Sequence, residues 1–220
     1  MAVIIVGGMI GLGKSSVAKI IGEELGSKVF YESVEDNPIL PLFYTSTQEE
    51  IEKNRYPFLL QLYFLDTRFK AIKQALIHQH NVIDRGIYED VYFCYMNMLY
   101  GEKMGENRIS RLEYQVYSGL FQNMMEELDE LPKKAPDLMI YLKGSFDTVM
   151  KRIQSRGRDF EQDAALIDYY KFLWEGYDDW VQNHYKASEV LVIDMDQIDV
   201  VNNPEDRKTV VEMVKEKLKM

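Results

Sequence analysis

The chain has 220 residues, 46% of them hydrophobic, which suits one domain with a sizeable core. A formal net charge of -10 argues against a nucleic-acid polymer or an anionic membrane as the main partner, although a local basic cluster can still hold a phosphate. The lone Cys94 excludes an intrachain disulfide and fits a cytoplasmic setting. No run reaches the ~18 apolar residues of a spanning helix, and Ala2–Val6 is too short for a signal peptide.

In chain order, Val3–Val6 reads as a buried strand. It leads into Gly8-Met9-Ile10-Gly11-Leu12-Gly13-Lys14-Ser15, a G-x-x-x-x-G-K-[ST] pattern followed by a helical stretch. Gly8, Gly11 and Gly13 would let backbone N–H groups turn inward around phosphate oxygens. Lys14 adds a point charge, Ser15 a hydroxyl for Mg2+, and Ser16 joins the expected ATP-binding set at the helix start. The strand Lys28–Tyr31 ends on Glu32, a carboxylate placed to take a proton from an attacking hydroxyl, ahead of Ser33-Val34-Glu35-Asp36-Asn37-Pro38. From about Pro57 to Gln79, Phe58, Leu62, Leu65, Phe69, Ile72 and Leu76 form one helical stripe. Gln61 and Arg68 share a face beside that stripe. They could reach the edge of a planar base or simply face solvent.

The strand Asn81–Ile83 ends on Asp84-Arg85. Arg85 could hold Glu32 and touch phosphate while Asp84 reaches a metal, or the two could be a plain structural ion pair. On the helix after Gly86, Asp90 is placed to pair with Arg68, and Phe93 to stack on a base or join the core. A helix over Ser110–Leu128, a strand Leu138–Leu142 and a helix after Ser145 follow. That last helix carries Arg152 and Arg156 on one face, with Gly157 placed to end it and release Arg158. These arginines suit a mobile phosphate lid, and equally an ordinary basic helix end. An aromatic helix over Leu166–Tyr185, a strand Val190–Ile193 ending on Asp194, and a helix after Pro204 complete the chain. The alternation predicts an α/β fold of one domain over residues 1–220, with a five-stranded parallel sheet flanked by helices. Polar residues at the strand ends then converge on the phosphate loop.

These blocks, in this order, resemble the deoxynucleoside kinase family over nearly the whole chain, especially the purine-preferring deoxyadenosine and deoxyguanosine kinases of Gram-positive bacteria. The resemblance implies a P-loop kinase fold with a helical arginine lid. It also implies transfer of the ATP γ-phosphate, with Mg2+, to the 5′-hydroxyl of a deoxynucleoside, deoxyadenosine favoured, by a homodimer. By the same resemblance Glu32 is the general base, Arg85 its neighbour, Asp84 the acid near Mg2+, and Gln61 the reader of the base. Arg68 and Asp90 line the base pocket as a coupled pair, Tyr44 and Glu161 hold the 3′-hydroxyl, and Arg152, Arg156 and Arg158 form the lid. Asp194-Met195-Asp196 falls where the family has a loop near the nucleotide adenine. Asp84-Arg85-Gly86 replaces the Glu-Arg-Ser of animal members. Cys94 stands where they carry a stacking aromatic, with Phe93 beside it.

A nucleoside monophosphate kinase of the thymidylate kinase type shares the P-loop, the strand-end Asp-Arg and the lid. Its acceptor phosphate needs cations, however, where this chain has Glu32, Glu35 and Asp36. A non-catalytic nucleotide-binding protein would lack an acceptor pocket, and Glu32, Gln61 and Asp90 count against it.

Overall fold

Successive residues of a strand face opposite sides of its sheet, and both sides of the first strand, β1 (Ala2–Gly8), are apolar. Ile4 and Val6 join one buried cluster, Val3 and Ile5 another. A strand buried on both faces belongs in the middle of a parallel sheet with helices on either side. The structure, a computed structural model, describes residues 2–32, 34, 36–75, 80–129 and 136–220. It contains such a sheet, in the order β2-β3-β1-β4-β5. The other strands are β2 (Lys28–Phe30), β3 (His80–Asp84), β4 (Leu138–Lys143) and β5 (Glu189–Asp194), and every neighbouring pair is parallel.

The helices are α1 (Lys14–Leu25), α2 (Leu40–Thr45), α3 (Gln48–Asn54), α4 (Tyr56–Ala75), α5 (Ile87–Met104), α6 (Arg111–Asp129), α7 (Phe146–Arg156), α8 (Ile167–Asp179) and α9 (Pro204–Leu218). Val17 and Ile21 of α1, Val149 and Ile153 of α7, Leu173 of α8 and Val210 and Val214 of α9 cover the Ile4/Val6 side. Leu65 and Ile72 of α4 and Tyr117 and Leu128 of α6 cover the other. The helix α5 serves both sides, with Tyr92, Phe93 and Met96 in the first cluster and Ile87, Cys94 and Met98 in the second. No helix among the described residues is long and apolar enough to cross a membrane.

The expected strands and longer helices are present, with shifted ends. The second strand stops at Phe30, leaving Tyr31 exposed. The helix expected over Leu166–Tyr185 is instead a 3-10 turn at Ala164–Leu166, then α8, then a wide π turn at Trp180–His184. The π turn closes with the Tyr185 N–H donating to the Trp180 carbonyl at 3.0 Å, which brings the Trp180 and Tyr185 rings within 5.8 Å. The short helices α2 and α3 were not expected, being too brief to show a period. The latter nevertheless opens with a reciprocal Thr47/Glu50 capping box, a signal that can be read in sequence. Leu76 and the rest of the expected helix to Gln79 lie outside the described residues.

The sheet register sets up the site. Val6, at the carboxyl end of β1, pairs with Asp84 at the end of β3. Glu32 follows two residues beyond the end of β2, the neighbour of β3. The glycine loop, Glu32 and Asp84-Arg85 therefore leave the same edge of the sheet, where open parallel sheets bind ligands.

Candidate active site

The loop after β1 is shaped by its glycines. Gly8, Gly11 and Gly13 have φ of 144°, 87° and 85°, values that side chains resist. A Cβ on Gly8 would also lie 2.7 Å from the Leu142 carbonyl oxygen, and one on Gly11 2.8 Å from Ile153. Gly13 precedes Lys14, the first residue of α1, so the loop delivers a bound anion to a helix N-terminus. The Lys14 ammonium donates to the Gly8 and Met9 carbonyls at 3.0 and 2.9 Å. Burial, and then the nearby Arg85, bring its pKa down to about 7 against the pull of Glu32, Asp84 and Glu89.

The Ser15 hydroxyl donates to Asp84 Oδ2 at 2.5 Å, while Asp84 Oδ1 is buried without a hydrogen-bond partner among the described residues. Burial, aided by the Glu32 charge, raises the Asp84 pKa. A hydroxyl and a half-satisfied carboxylate are the hard oxygen donors that fit Mg2+. Among the described residues no trio of His, Cys, Asp and Glu could hold an ion by itself. Phosphate oxygens and water would have to complete such a shell.

Across from the loop, Glu32 Oε1 accepts from Arg68 Nη2 at 2.8 Å and lies 3.4 Å from Arg85 Nε. Burial alone would raise the Glu32 pKa. Arg68, Arg85 and Lys14 outweigh it and hold the carboxyl near 2, well below the usual range. Arg68 reaches Glu32 from α4 while its Nε donates to both oxygens of Asp90 on α5, at 2.7 and 2.6 Å. Burial works against the Arg68 charge, and Asp90 and Glu32 more than restore it, so its pKa lies above the ordinary value. Arg85 has φ 69°, a left-handed conformation for a non-glycine residue and a local store of strain. Its guanidinium lies 4.4 Å from the centre of the Phe93 ring, donates to Glu89 Oε1 at 3.2 Å and to the Gly8 carbonyl at 3.4 Å.

A cavity of about 640 Å³ joins these groups. It is lined by Gly11, Gly13, Lys14 and Ser15 of the glycine loop and α1, by Glu32, Asp84 and Arg85 at the strand ends, by Gln61, Arg68, Asp90 and Phe93 of α4 and α5, and by Tyr44, Arg156, Arg158 and Glu161. Gln61 is 4% exposed, and its Oε1 has no hydrogen-bond partner among the described residues. Arg156 and Arg158 both bond Glu161, the latter at 3.4 Å. Gly157 between them ends α7 with φ 69°, the left-handed helix stop expected of it. Tyr44 stacks on Phe160 with ring centres 5.6 Å apart, and burial keeps its phenol well above the usual pKa, hence neutral.

Of the expected site residues, Gly8, Ser16 and Arg152 do not line the cavity. Gly8 lies behind it, as the carbonyl that Lys14 and Arg85 share. Ser16 is half-buried in the first turn of α1. Arg152 bonds the carbonyls of Leu12, Met195 and Ile198 at 3.2, 3.0 and 3.2 Å, tying the glycine loop to the segment after β5. In that segment the Asp196 carboxylate accepts from the Ser145 N–H at 2.9 Å, at the start of α7. Glu35 and Ser33 lie outside the described residues. Cys94 is fully buried in the second apolar cluster and does not line the cavity, whereas Phe93 supplies an aromatic wall. Sequence reasoning missed the walls Phe43, Phe64 and Tyr169. It also missed Glu89, although a Glu three residues after Gly86 at a helix start is a legible capping pattern.

The family model for deoxynucleoside kinase matches residues 4–219. The chain is 46% identical to a deoxyguanosine kinase of Lactobacillus acidophilus, an alignment covering 100% of this chain and 92% of the relative. It is 42% identical to a deoxyadenosine kinase of the same organism, over 99% and 96%. A solved structure of deoxyadenosine kinase from M. mycoides with bound dATP superposes with a TM-score of 0.77 at 28% identity, covering 99% of this chain and 100% of that one.

Proposed function

This chain belongs to the deoxynucleoside kinase family and is an ATP-dependent kinase of deoxynucleosides, and we propose that its acceptor is a purine deoxynucleoside, deoxyadenosine favoured, with the base at Gln61 and the 5′-hydroxyl at Glu32. What carries the reading is that one cavity is lined at once by the glycine loop and Lys14, by Glu32 and by the buried amide of Gln61. Gln61 can serve either purine edge, and its unpaired Oε1 suits the 6-amino group of adenine. The relatives named above divide between the two purines.

In this reading Glu32, ionised at neutral pH, orients the hydroxyl and accepts its proton. A carboxylate with a pKa near 2 is a weak base. It suits a loose phosphoryl-transfer transition state, where charge stabilisation matters more than proton abstraction. Lys14 exchanges the loop carbonyls for the terminal phosphates, and Arg85 supports both Glu32 and the transferring group. Mg2+, held by Ser15 and, directly or through water, by Asp84, would neutralise charge on the phosphate oxygens. Tyr44 and Glu161 hold the 3′-hydroxyl. Because Glu161 also binds Arg156 and Arg158, sugar binding and lid position share one carboxylate.

We assign the enzyme to the cytoplasm, where ATP is supplied, as one domain acting in a homodimer. The α6 residues Leu112, Val116 and Leu120 are exposed one turn apart, an apolar stripe suited to a second copy. Sedimentation of the native chain should give a dimer, and Leu112→Glu with Val116→Glu a folded monomer; a native monomer contradicts the assignment. Assaying the four deoxynucleosides with dAMP and dTMP as acceptors for ATP tests the chemistry. Deoxyadenosine and deoxyguanosine should lead. Preferred use of a monophosphate would turn the reading toward the thymidylate kinase type.

A further inference from the structure

Glu89 takes no direct part in the chemistry above, yet it is 1% exposed and faces four donors. Its Oε1 accepts from the Gly8 N–H at 3.2 Å, from Arg85 Nη1 at 3.2 Å and from the Tyr177 hydroxyl, and its Oε2 accepts from the Gly86 N–H at 3.0 Å. The Tyr177 oxygen in turn accepts from the same Gly8 N–H at 3.0 Å. Gly8 opens the phosphate loop, and Gly86 follows the strained Arg85. Arg85 thus lies between two carboxylates, with Glu32 on the cavity side and Glu89 behind. Tyr177 belongs to α8, packs on Phe93 at 6.1 Å and stacks on Tyr141 at 5.5 Å, so its hydroxyl has little freedom to leave.

We infer that Glu89 is a positioning residue: one buried carboxylate fixes Arg85 and the first loop glycine relative to each other, with Tyr177 locking that pair to α8. The inference rests on the reading of Arg85 as the arginine that supports Glu32 and the phosphoryl group. A glutamine at position 89 keeps the volume but replaces one acceptor oxygen with an amide donor, which would face N–H and O–H groups. Arg85 would then keep Glu32 as its one carboxylate partner and be drawn toward the cavity.

The test is a double-mutant cycle of Glu89→Gln and Arg85→Met, reading kcat, the KM values for ATP and deoxynucleoside, and folding by circular dichroism. Glu89→Gln should lower kcat about 10- to 100-fold, as a displaced catalytic group does, with little change in the deoxynucleoside KM. Added to Arg85→Met it should cost little more, because both act through one guanidinium. Unaltered kcat in Glu89→Gln, or losses that simply add, would overturn the inference. Wild-type turnover in Arg85→Met alone would instead strike the reading of Arg85. If Glu89→Gln does not fold, Tyr177→Phe decides: a kcat lowered about fivefold, the worth of one hydrogen bond, at unchanged KM supports the inference, and unchanged kcat overturns it.

Discussion

The acceptor half and the lid half of the cavity use the same chemistry, arginine against carboxylate, in different surroundings. The Arg68 and Arg85 side chains are each 5% exposed and tied to carboxylates on neighbouring elements. Arg156 and Arg158 keep about a third of their side chains in solvent, at 33% and 31%, and both lean on Glu161 a few residues away. A buried ion pair cannot open without stranding a charge, so the acceptor half is set before substrate arrives. Only the arginines of this pair are solvated, and Glu161 is 3% exposed, so turning them onto phosphate requires another donor, such as the sugar hydroxyl, to take their place on that carboxylate as substrate binds. The acceptor side is thus paired on every flank, while the arginines at Glu161 keep an open, solvent-facing side.

Five measurements test this contrast. The largest effect belongs to Glu32→Gln, which should lower kcat about 10²- to 10⁴-fold with ATP binding intact; turnover close to wild type would remove the acceptor half from the chemistry. Next, Arg68→Met should cost about 3–5 kcal/mol of folding stability, because it leaves Asp90 buried without its partner and Glu32 with Arg85 alone. A denaturant midpoint like that of the wild type would show the pair to be dispensable. The third measurement concerns acid. The Glu32 pKa is depressed from 4.5 to about 2, so its contribution is present above pH 4.5 and is lost as pH falls toward 2. The stability gap between wild type and Glu32→Gln should therefore shrink by up to about 3 kcal/mol over that window, and a constant gap would deny the shift.

Smaller again, Gln61→Met should reduce kcat/KM for deoxyadenosine about 10- to 100-fold, the range for one buried polar contact left unmade. Equal losses for all four deoxynucleosides would mean that Gln61 does not read the base. Smallest in stability is Arg158→Met, expected within about 0.5 kcal/mol of wild type while kcat falls roughly tenfold. A clear drop in melting temperature would place the lid with the rigid half.

The groups assigned to the chemistry are legible in the sequence because they sit beside local landmarks. The glycine loop is contiguous, and Glu32 and Asp84-Arg85 stand at strand ends, which a parallel sheet gathers on one edge. Gln61 and Arg68 were legible only as a shared helix face, since nothing in a helical period says what that face meets. Phe43, Phe64 and Tyr169 had no signal: in a chain with 15 tyrosines and 10 phenylalanines, a cavity wall looks like any other core residue. Arg152 shows the reverse case. Its place four residues before Arg156 suggested a lid finger, but its guanidinium is spent on three carbonyls that join the loop to the segment after β5.

By itself, then, the order of residues determined the alternation of strand and helix, the phosphate loop and the charged residues at the strand ends, because each depends on neighbours within a few positions. Which charges and hydroxyls face one another depends on packing between distant elements. Arg68 meets Glu32 across 36 residues, and Tyr177 meets Glu89 across 88. Such pairs form only when helices from distant parts of the chain pack on the same edge of the sheet. The low-dielectric interior then makes every partner count, since a charge left without one there is too costly to keep.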